Sequence, residues 1–129
     1  MSGKMLHSVA RGRQISVFVD DTPGTLAGVA EELGKHVINI YALTLAEGLG
    51  HGYVRMVVDK PDACIKALKA AEELLMERAV IMLELNNAPG SLGSVARELA
   101  KANINLEYAY CAGGPNVDKG LVVVRVNDT

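Results

Sequence analysis

The sequence predicts an α+β protein that contains two copies of one folding unit, the first with the order βαββαβ and the second with the shorter order βαββ. The segment DDTPGTL (Asp20–Leu26) returns 66 residues later as NNAPGSL (Asn86–Leu92). At the same spacing, six residues after the first segment recur as identical residues after the second: Val29, Glu32, Leu33, Lys35, Ile38 and Asn39 as Val95, Glu98, Leu99, Lys101, Ile104 and Asn105. Self-similarity at a fixed period indicates one supersecondary unit that is used twice.

The elements of the first copy follow from hydrophobic periodicity. Ile15, Val17 and Val19 occupy every second position, as in a strand, and the turn residues from Asp20 to Gly24 end that strand. Apolar residues then recur at helical spacing from Leu26 onward. The predicted elements are a strand over 14–20, a helix over 23–35, strands over 37–46 and 53–58, a helix that begins at Pro61, and an extended segment over 74–85.

The second copy repeats this order and then stops. Its predicted elements are a strand over 80–85, a helix over 89–102, and strands over 104–111 and 120–126. We therefore predict an N-terminal extension (1–13), a first module (14–79) and a second module (80–129) that lacks the final helix and strand. Antiparallel sheets with helices on one face would leave apolar sheet surface exposed where the helix is missing, so we expect a homodimer or an enzyme partner to cover it. The alternative is that the sequence is a shortened form of a longer protein.

Composition excludes several classes of function. The formal net charge is −2, and Lys4, Arg11 and Arg13 lie in the first fourteen residues, so the remainder is more acidic and does not favour nucleic acid or an anionic membrane. No apolar run approaches the roughly 20 residues of a membrane span, and the amino terminus lacks the apolar stretch of a secretion signal. We predict a cytoplasmic protein. Cys64 and Cys111 are interpreted as small buried hydrophobic residues rather than a disulfide.

Neither catalysis nor cofactor binding is predicted. His7, His36 and His51 are far apart in the sequence and have no partner at a metal-ligand spacing, and the glycine-rich run over 48–52 lacks the residues of a phosphate loop. A sheet with exposed aromatic residues would suit single-stranded RNA, but the chain has no tryptophan and no basic groove. Tyr108 and Tyr110 are expected to share a strand face with Ile104 and Leu106, in the core or at a dimer interface.

The Pro-Gly turn before each first helix supports two interpretations. In the structural one, proline starts the helix and Thr22 or Asp21 caps it. In the functional one, the unpaired N–H groups at the helix start receive a carboxylate, Gly24 and Gly90 let a ligand approach the backbone, and Asp20 or Asp21 receives an ammonium group. The second arrangement is a clamp for an amino acid.

These turns resemble the signature of the ACT domain. The motif DTPGTL is followed by HVINI (36–40), and NAPGSL is followed by ANINL (102–106). The resemblance covers nearly all of residues 14–129. The resemblance implies ferredoxin-like modules that bind amino acids and regulate metabolic enzymes. It also implies a ligand between the loop after strand one and the start of strand two of a neighbouring module. Carried over, the implied ligand-binding residues are Asp20, Asp21, Thr22, Pro23, Gly24, Thr25, Leu26, Asn39, Ile40 and Tyr41, and Asn86, Asn87, Ala88, Pro89, Gly90, Ser91, Leu92, Asn105, Leu106 and Glu107.

The two modules differ in charge. Asn86 and Asn87 replace two aspartates, which keeps hydrogen bonding but removes the charge that would hold an ammonium group, and Glu107 is the acidic residue that would compensate. Two sites of different affinity or specificity are therefore expected. The alternative is a regulatory subunit that docks on an enzyme of amino-acid synthesis with empty turns, similar to the small subunits of branched-chain biosynthesis (acetolactate synthase).

Overall fold

A computed structural model describes residues 6–20, 22–48 and 51–126 of the chain. The predicted α+β class and the repeated order of elements are confirmed. Within the described residues, none of the helices is both long enough and apolar enough to cross a membrane. In chain order the elements are β1 (Leu6–Asp20), α1 (Thr25–Lys35), β2 (Ile40–Gly48), β3 (His51–Val58), α2 (Pro61–Ala70), β4 (Leu75–Asn86), α3 (Ser91–Lys101), β5 (Leu106–Ala112) and β6 (Lys119–Val126).

The chain divides into two compact units. Residues 13–78 form the N-terminal unit, and the described residues of 1–12 and 79–129 form the C-terminal unit. Strands β1 and β4 each contribute residues to both units.

In the N-terminal unit, β2, β3 and β1 lie side by side, followed by the first residues of β4. Val17 of β1 is paired with Val54 of β3, and both side chains are fully buried. Leu33 of α1 and Leu68 of α2 belong to the same buried cluster, so both helices cover one face of these strands. An ion-pair group, the Arg13 cluster, joins three elements of this unit: Arg13 Nη2 donates to Asp62 Oδ1 (2.8 Å) and Arg13 Nε donates to Glu77 Oε2 (2.5 Å).

In the C-terminal unit, residues 6–12 of β1 lie beside β4, and β6 and β5 follow. Residues 6–12 thus hold the position beside β4 that residues 75–78 hold beside β1 in the other unit. Leu6 packs against the cluster that contains Leu83 and Val95, and His7 Nε2 donates a hydrogen bond to Asn86 Oδ1. Strand β1 begins eight residues before its predicted start. The prediction missed this part of the strand because residues 7–11 are exposed and have no apolar alternation, which is the sequence signal of a strand.

The expected apolar surface over the C-terminal unit is not seen. Leu83 and Leu85 are 4% and 3% exposed, although α3 is the only helix that the structure describes in this unit. The large hydrophobic side chains that are exposed among its described residues are Val9, Leu92 and Val117. The homodimer therefore stays a prediction without this support.

The shared strand face predicted for the tyrosines is wrong. A register shift lies between Leu106 and Tyr108, so Leu106 is opposite Val126 whereas Tyr110 is opposite Val123. Because residues on one strand alternate between faces, Leu106 and Tyr110 lie on opposite faces of the sheet. Tyr110 is nevertheless buried.

The two cysteines have different environments. Cys64 is buried in α2, as predicted, and burial raises the pKa of its thiol to about 11. Cys111 is exposed, so its predicted burial is wrong. It lies opposite Val122 in the β5–β6 pair, at the end of the unit where α3 begins and where the sheet leaves a cavity.

Candidate functional site

The two Pro-Gly turns have the same backbone conformation. Gly24 has φ 93° and ψ −10°, and Gly90 has φ 87° and ψ −11°, which is the left-handed region that residues with a side chain rarely adopt. Each glycine is the N-cap residue of its helix. The carbonyl of Gly24 accepts from the Gly28 N–H, and that of Gly90 accepts from the Ser94 N–H, both at 2.9 Å. The repeat therefore preserves a backbone geometry that favours glycine.

The predicted side-chain cap by Thr22 is wrong. Helix α1 begins at Thr25, and no side chain among the described residues caps either first helix. Instead the Thr25 hydroxyl donates to the backbone carbonyl of Thr22 (2.9 Å). The predicted role of Asp21 lies outside the described residues. None of the described residues accepts a hydrogen bond from the N–H of Leu26 or Ala27, as expected for the first turn of a helix.

The N-terminal turn lines a cavity of about 140 Å³. Five of the predicted residues line it: Asp20, Thr22, Gly24, Thr25 and Leu26. Pro23 is not among the lining residues. The remaining walls were not predicted as site residues and come from β1 and the β2–β3 hairpin: Val19, Leu45, Ala46 and Gly52. Among the described residues that line this cavity, only Asp20 has a charged side chain.

The C-terminal turn lines a larger cavity, of about 380 Å³. Five predicted residues line it: Asn86, Asn87, Ala88, Ser91 and Leu92. Pro89 and Gly90 are not among the lining residues. The other walls come from β4 and the β5–β6 hairpin: Leu85, Cys111, Ala112, Gly113, Gly114, Pro115, Val117, Gly120, Leu121 and Val122. The glycines of the β5–β6 hairpin were the sequence signal for this wall, because a residue without a side chain lets a ligand approach the backbone closely.

Asn87 holds the β5–β6 loop against the turn. Its side-chain Nδ2 donates to the carbonyls of Gly114 (3.1 Å) and Val117 (2.8 Å), and its backbone N–H donates to the carbonyl of Asp118 (2.9 Å). A carboxylate has no proton to donate to these carbonyls, so the asparagine at this position has a structural reason. The loop that it holds forms one wall of the larger cavity.

The predicted facing residues lie at the other end of each unit. Asn39, Ile40 and Tyr41 follow α1, whose 11 residues separate them from the turn by about 16 Å along the helix. They do not line the N-terminal cavity, and Asn105, Leu106 and Glu107 do not line the C-terminal one.

Two of these facing residues already have partners within their own unit. The N–H of Asn39 donates to Asp59 Oδ1 (3.0 Å). Glu107 Oε1 lies 3.7 Å from Arg125 Nε, so the charge of this glutamate is paired by a residue of β6.

The described residues contain no group of three His, Cys, Asp or Glu side chains that could hold a metal ion. Among the described residues, the N-terminal cavity offers an exposed carboxylate, that of Asp20, and the C-terminal cavity offers only neutral side chains.

The model of the ACT domain pair family matches residues 11–129. Among solved structures, protein BT0572 from Bacteroides thetaiotaomicron is 31% identical, with 93% of this chain and 82% of that chain covered and a TM-score of 0.85. The ligand-free regulatory subunit of aspartate kinase from Thermus thermophilus is 20% identical, with 94% and 89% covered and a TM-score of 0.68. The corresponding subunit from Thermus flavus is 16% identical, with 94% and 88% covered and a TM-score of 0.67. The two Thermus proteins support the fold alone. No curated protein matches the chain.

Proposed function

The chain belongs to the ACT domain pair family, and from that premise we propose that it is a non-catalytic regulatory protein that binds a free amino acid at its Pro-Gly turns and modulates a metabolic enzyme. Two Thermus proteins of the same fold are regulatory subunits of aspartate kinase. They show that this fold is compatible with a regulatory role, and they do not indicate the enzyme partner of this chain.

The observation that carries the proposal is the repeated turn. In both copies a left-handed glycine begins a helix, and the residues around it line a cavity. The first N–H groups of a helix and its positive dipole end suit a carboxylate. In the N-terminal unit, Asp20 supplies a negative charge for the ammonium group of the same ligand.

A second copy of the chain would complete the smaller site. A cavity of about 140 Å³ lies below the roughly 300 Å³ at which small-molecule pockets begin. We propose that Asn39, Ile40 and Tyr41 of a neighbouring module close the N-terminal turn in a homodimer, and that residues 105–107 do so for the C-terminal turn. A regulatory effect then requires that the ligand bind two states of the assembly with different affinity.

The small N-terminal cavity also favours a second candidate, a subunit that docks on its enzyme without binding a ligand. Calorimetric titration with the twenty amino acids, first pooled by side-chain class and then singly, separates the two candidates. The informative variant is Gly24→Ala, because an added Cβ meets no protein atom within 4 Å and would project into the space at the turn. Gly28→Ala, a helical glycine with equally open surroundings, is the matched control.

We expect saturable binding that Gly24→Ala weakens and Gly28→Ala leaves unchanged. Because a left-handed alanine costs about 1 kcal/mol of stability, the titration is run well below the unfolding temperature of both variants. A folded protein that binds no pool would contradict the sensor and favour the docking subunit.

A further inference from the structure

The two cavities differ in the residue that ends the strand before the turn. Asp20 lines the N-terminal cavity, and Asn86, its counterpart in the repeat, lines the C-terminal one. No residue that lines the C-terminal cavity among the described parts of the chain has a charged side chain. An ammonium group that entered this cavity would lose its hydration without gaining a carboxylate, which is unfavourable.

The two asparagine side chains of the C-terminal cavity already make hydrogen bonds within the protein. Asn86 Oδ1 accepts a hydrogen bond from His7, and Asn87 Nδ2 donates to the carbonyls of Gly114 and Val117. Glu107 is the acid that was expected to compensate, but its charge is paired with Arg125 of its own module, and this pairing is retained when residues 105–107 of a neighbouring module close the turn.

The remaining lining suits an apolar group. Leu85, Leu92, Val117, Leu121 and Val122 contribute aliphatic side chains, and the volume of about 380 Å³ falls within the range of small-molecule sites. The start of α3 lies in the same wall, and none of the described residues accepts a hydrogen bond from the N–H groups of its second and third residues. One end of the cavity is thus suited to a carboxylate and the rest to a hydrocarbon chain.

From these contacts we infer that the residue at position 20 or 86 decides whether a turn accepts an amine. The C-terminal cavity therefore binds a carboxylate with a short apolar chain and no ammonium group, such as a 2-oxo acid or a short fatty acid. This inference rests on the proposed function and narrows it: the free amino acid is kept as the ligand of the N-terminal turn, and the C-terminal turn takes a related acid without the amine.

The exposed thiol of Cys111 provides a site-specific measurement, because it lines the C-terminal cavity whereas Cys64 is buried. The rate at which a thiol reagent modifies Cys111 is measured against the concentration of 4-methyl-2-oxopentanoate and, separately, of L-leucine. These probes have the same carbon skeleton and differ in the group at the second carbon. We expect the oxo acid to protect Cys111 at a concentration about ten- to a hundredfold lower than leucine does, the factor expected when a desolvated ammonium group is left without a partner.

The variant Asn86→Asp supplies the carboxylate of the first copy and still has an oxygen to accept from His7, so we expect it to reverse the preference toward leucine. Asn116→Asp adds the same charge to the β5–β6 loop at a residue that does not line the cavity, and should leave the preference unchanged. Cys64 should stay unmodified in each variant, and this protection serves as the check that the variant is folded.

The outcomes separate this inference from the proposed function. Equal protection by both probes, or a preference that Asn86→Asp does not change, would overturn the inference. Amino-acid binding by calorimetry without protection of Cys111 by the oxo acid would overturn the inference alone. A folded protein that binds no probe by either method would overturn the proposed function as well.

Discussion

Val37 and Asn103 occupy equivalent positions after α1 and α3. Exchanging their side chains tests whether the left-handed backbone at these positions costs valine stability. Both have left-handed backbones, with φ 56° and 60°. Asparagine tolerates this region, whereas the branched Cβ of valine does not. Val37 is 75% exposed, so its side chain gains little burial in return. We therefore expect Val37→Asn to stabilise the protein and Asn103→Val to destabilise it.

The size of the effect follows from two opposing contributions. A left-handed backbone costs a residue such as valine about 1–2 kcal/mol, and burying a whole valine side chain contributes about 1.5 kcal/mol or more. Since Val37 is three quarters exposed, the burial that Val37→Asn removes is worth only about 0.5 kcal/mol. The net gain is therefore about 1 kcal/mol. The Lys60 Nζ bond to the Val37 carbonyl (2.7 Å) involves backbone and is unaffected.

Urea unfolding followed by circular dichroism measures this difference, and thermal unfolding should show a rise of roughly 4 °C. Val9→Asn is the matched control: the same exchange at an exposed residue of β1, where the backbone is extended, should not stabilise the protein. If Val37→Asn lowers the free energy of unfolding, or if Val9→Asn raises it equally, left-handed strain at Val37 is not the cause.

Three further predictions test other contacts. Asn87→Ala should lower the free energy of unfolding by about 2 kcal/mol through two lost hydrogen bonds, whereas Asn116→Ala in the same loop, whose side chain makes no hydrogen bond to the described residues, should change it little. Arg13→Gln should destabilise the protein at neutral pH and progressively less in acid, as urea titrations from about pH 3 to 7 will show. Arg13 lowers the pKa of both carboxyls in the Arg13 cluster, so its contribution is present above their unfolded pKa values of about 4 and is lost as pH falls through the lower folded values. A thiol reagent should modify Cys111 in the native protein but Cys64 only after unfolding, because Cys64 is buried and burial raises its pKa to about 11. Rapid modification of both cysteines in the native protein would contradict the burial of Cys64.

Local signals were sufficient to predict the helices, the central strands and the repeated turn. Each rests on apolar spacing or on glycine, which act within a few residues. No such local signal marks the bulges at Ile40 and Leu106, which occupy equivalent positions in the two copies. A bulge is decided by how two strands meet, so the faces of Tyr108 and Tyr110 were not predictable from one strand alone.

The candidate site was predicted in part for a similar reason. Residues within the turn are close together in sequence, and most of them line a cavity as expected. The hairpin walls and the role of Asn87 depend on contacts between segments about 30 residues apart. The strand formed by residues 6–12 depends on pairing with β4, which lies more than 60 residues away in the sequence.

The two copies show which properties of a repeat are held in common and which are not. Glycine recurs at 24 and 90 because the left-handed backbone there favours it over residues with a side chain. The side chain at 20 or 86 follows an ordinary strand backbone and is not constrained in this way. Ligand chemistry can therefore differ between the copies while the turn stays the same. On this argument, exchange at positions 20 and 86 alters ligand preference with little effect on stability, and exchange at positions 37 and 103 alters stability with little effect on ligand preference.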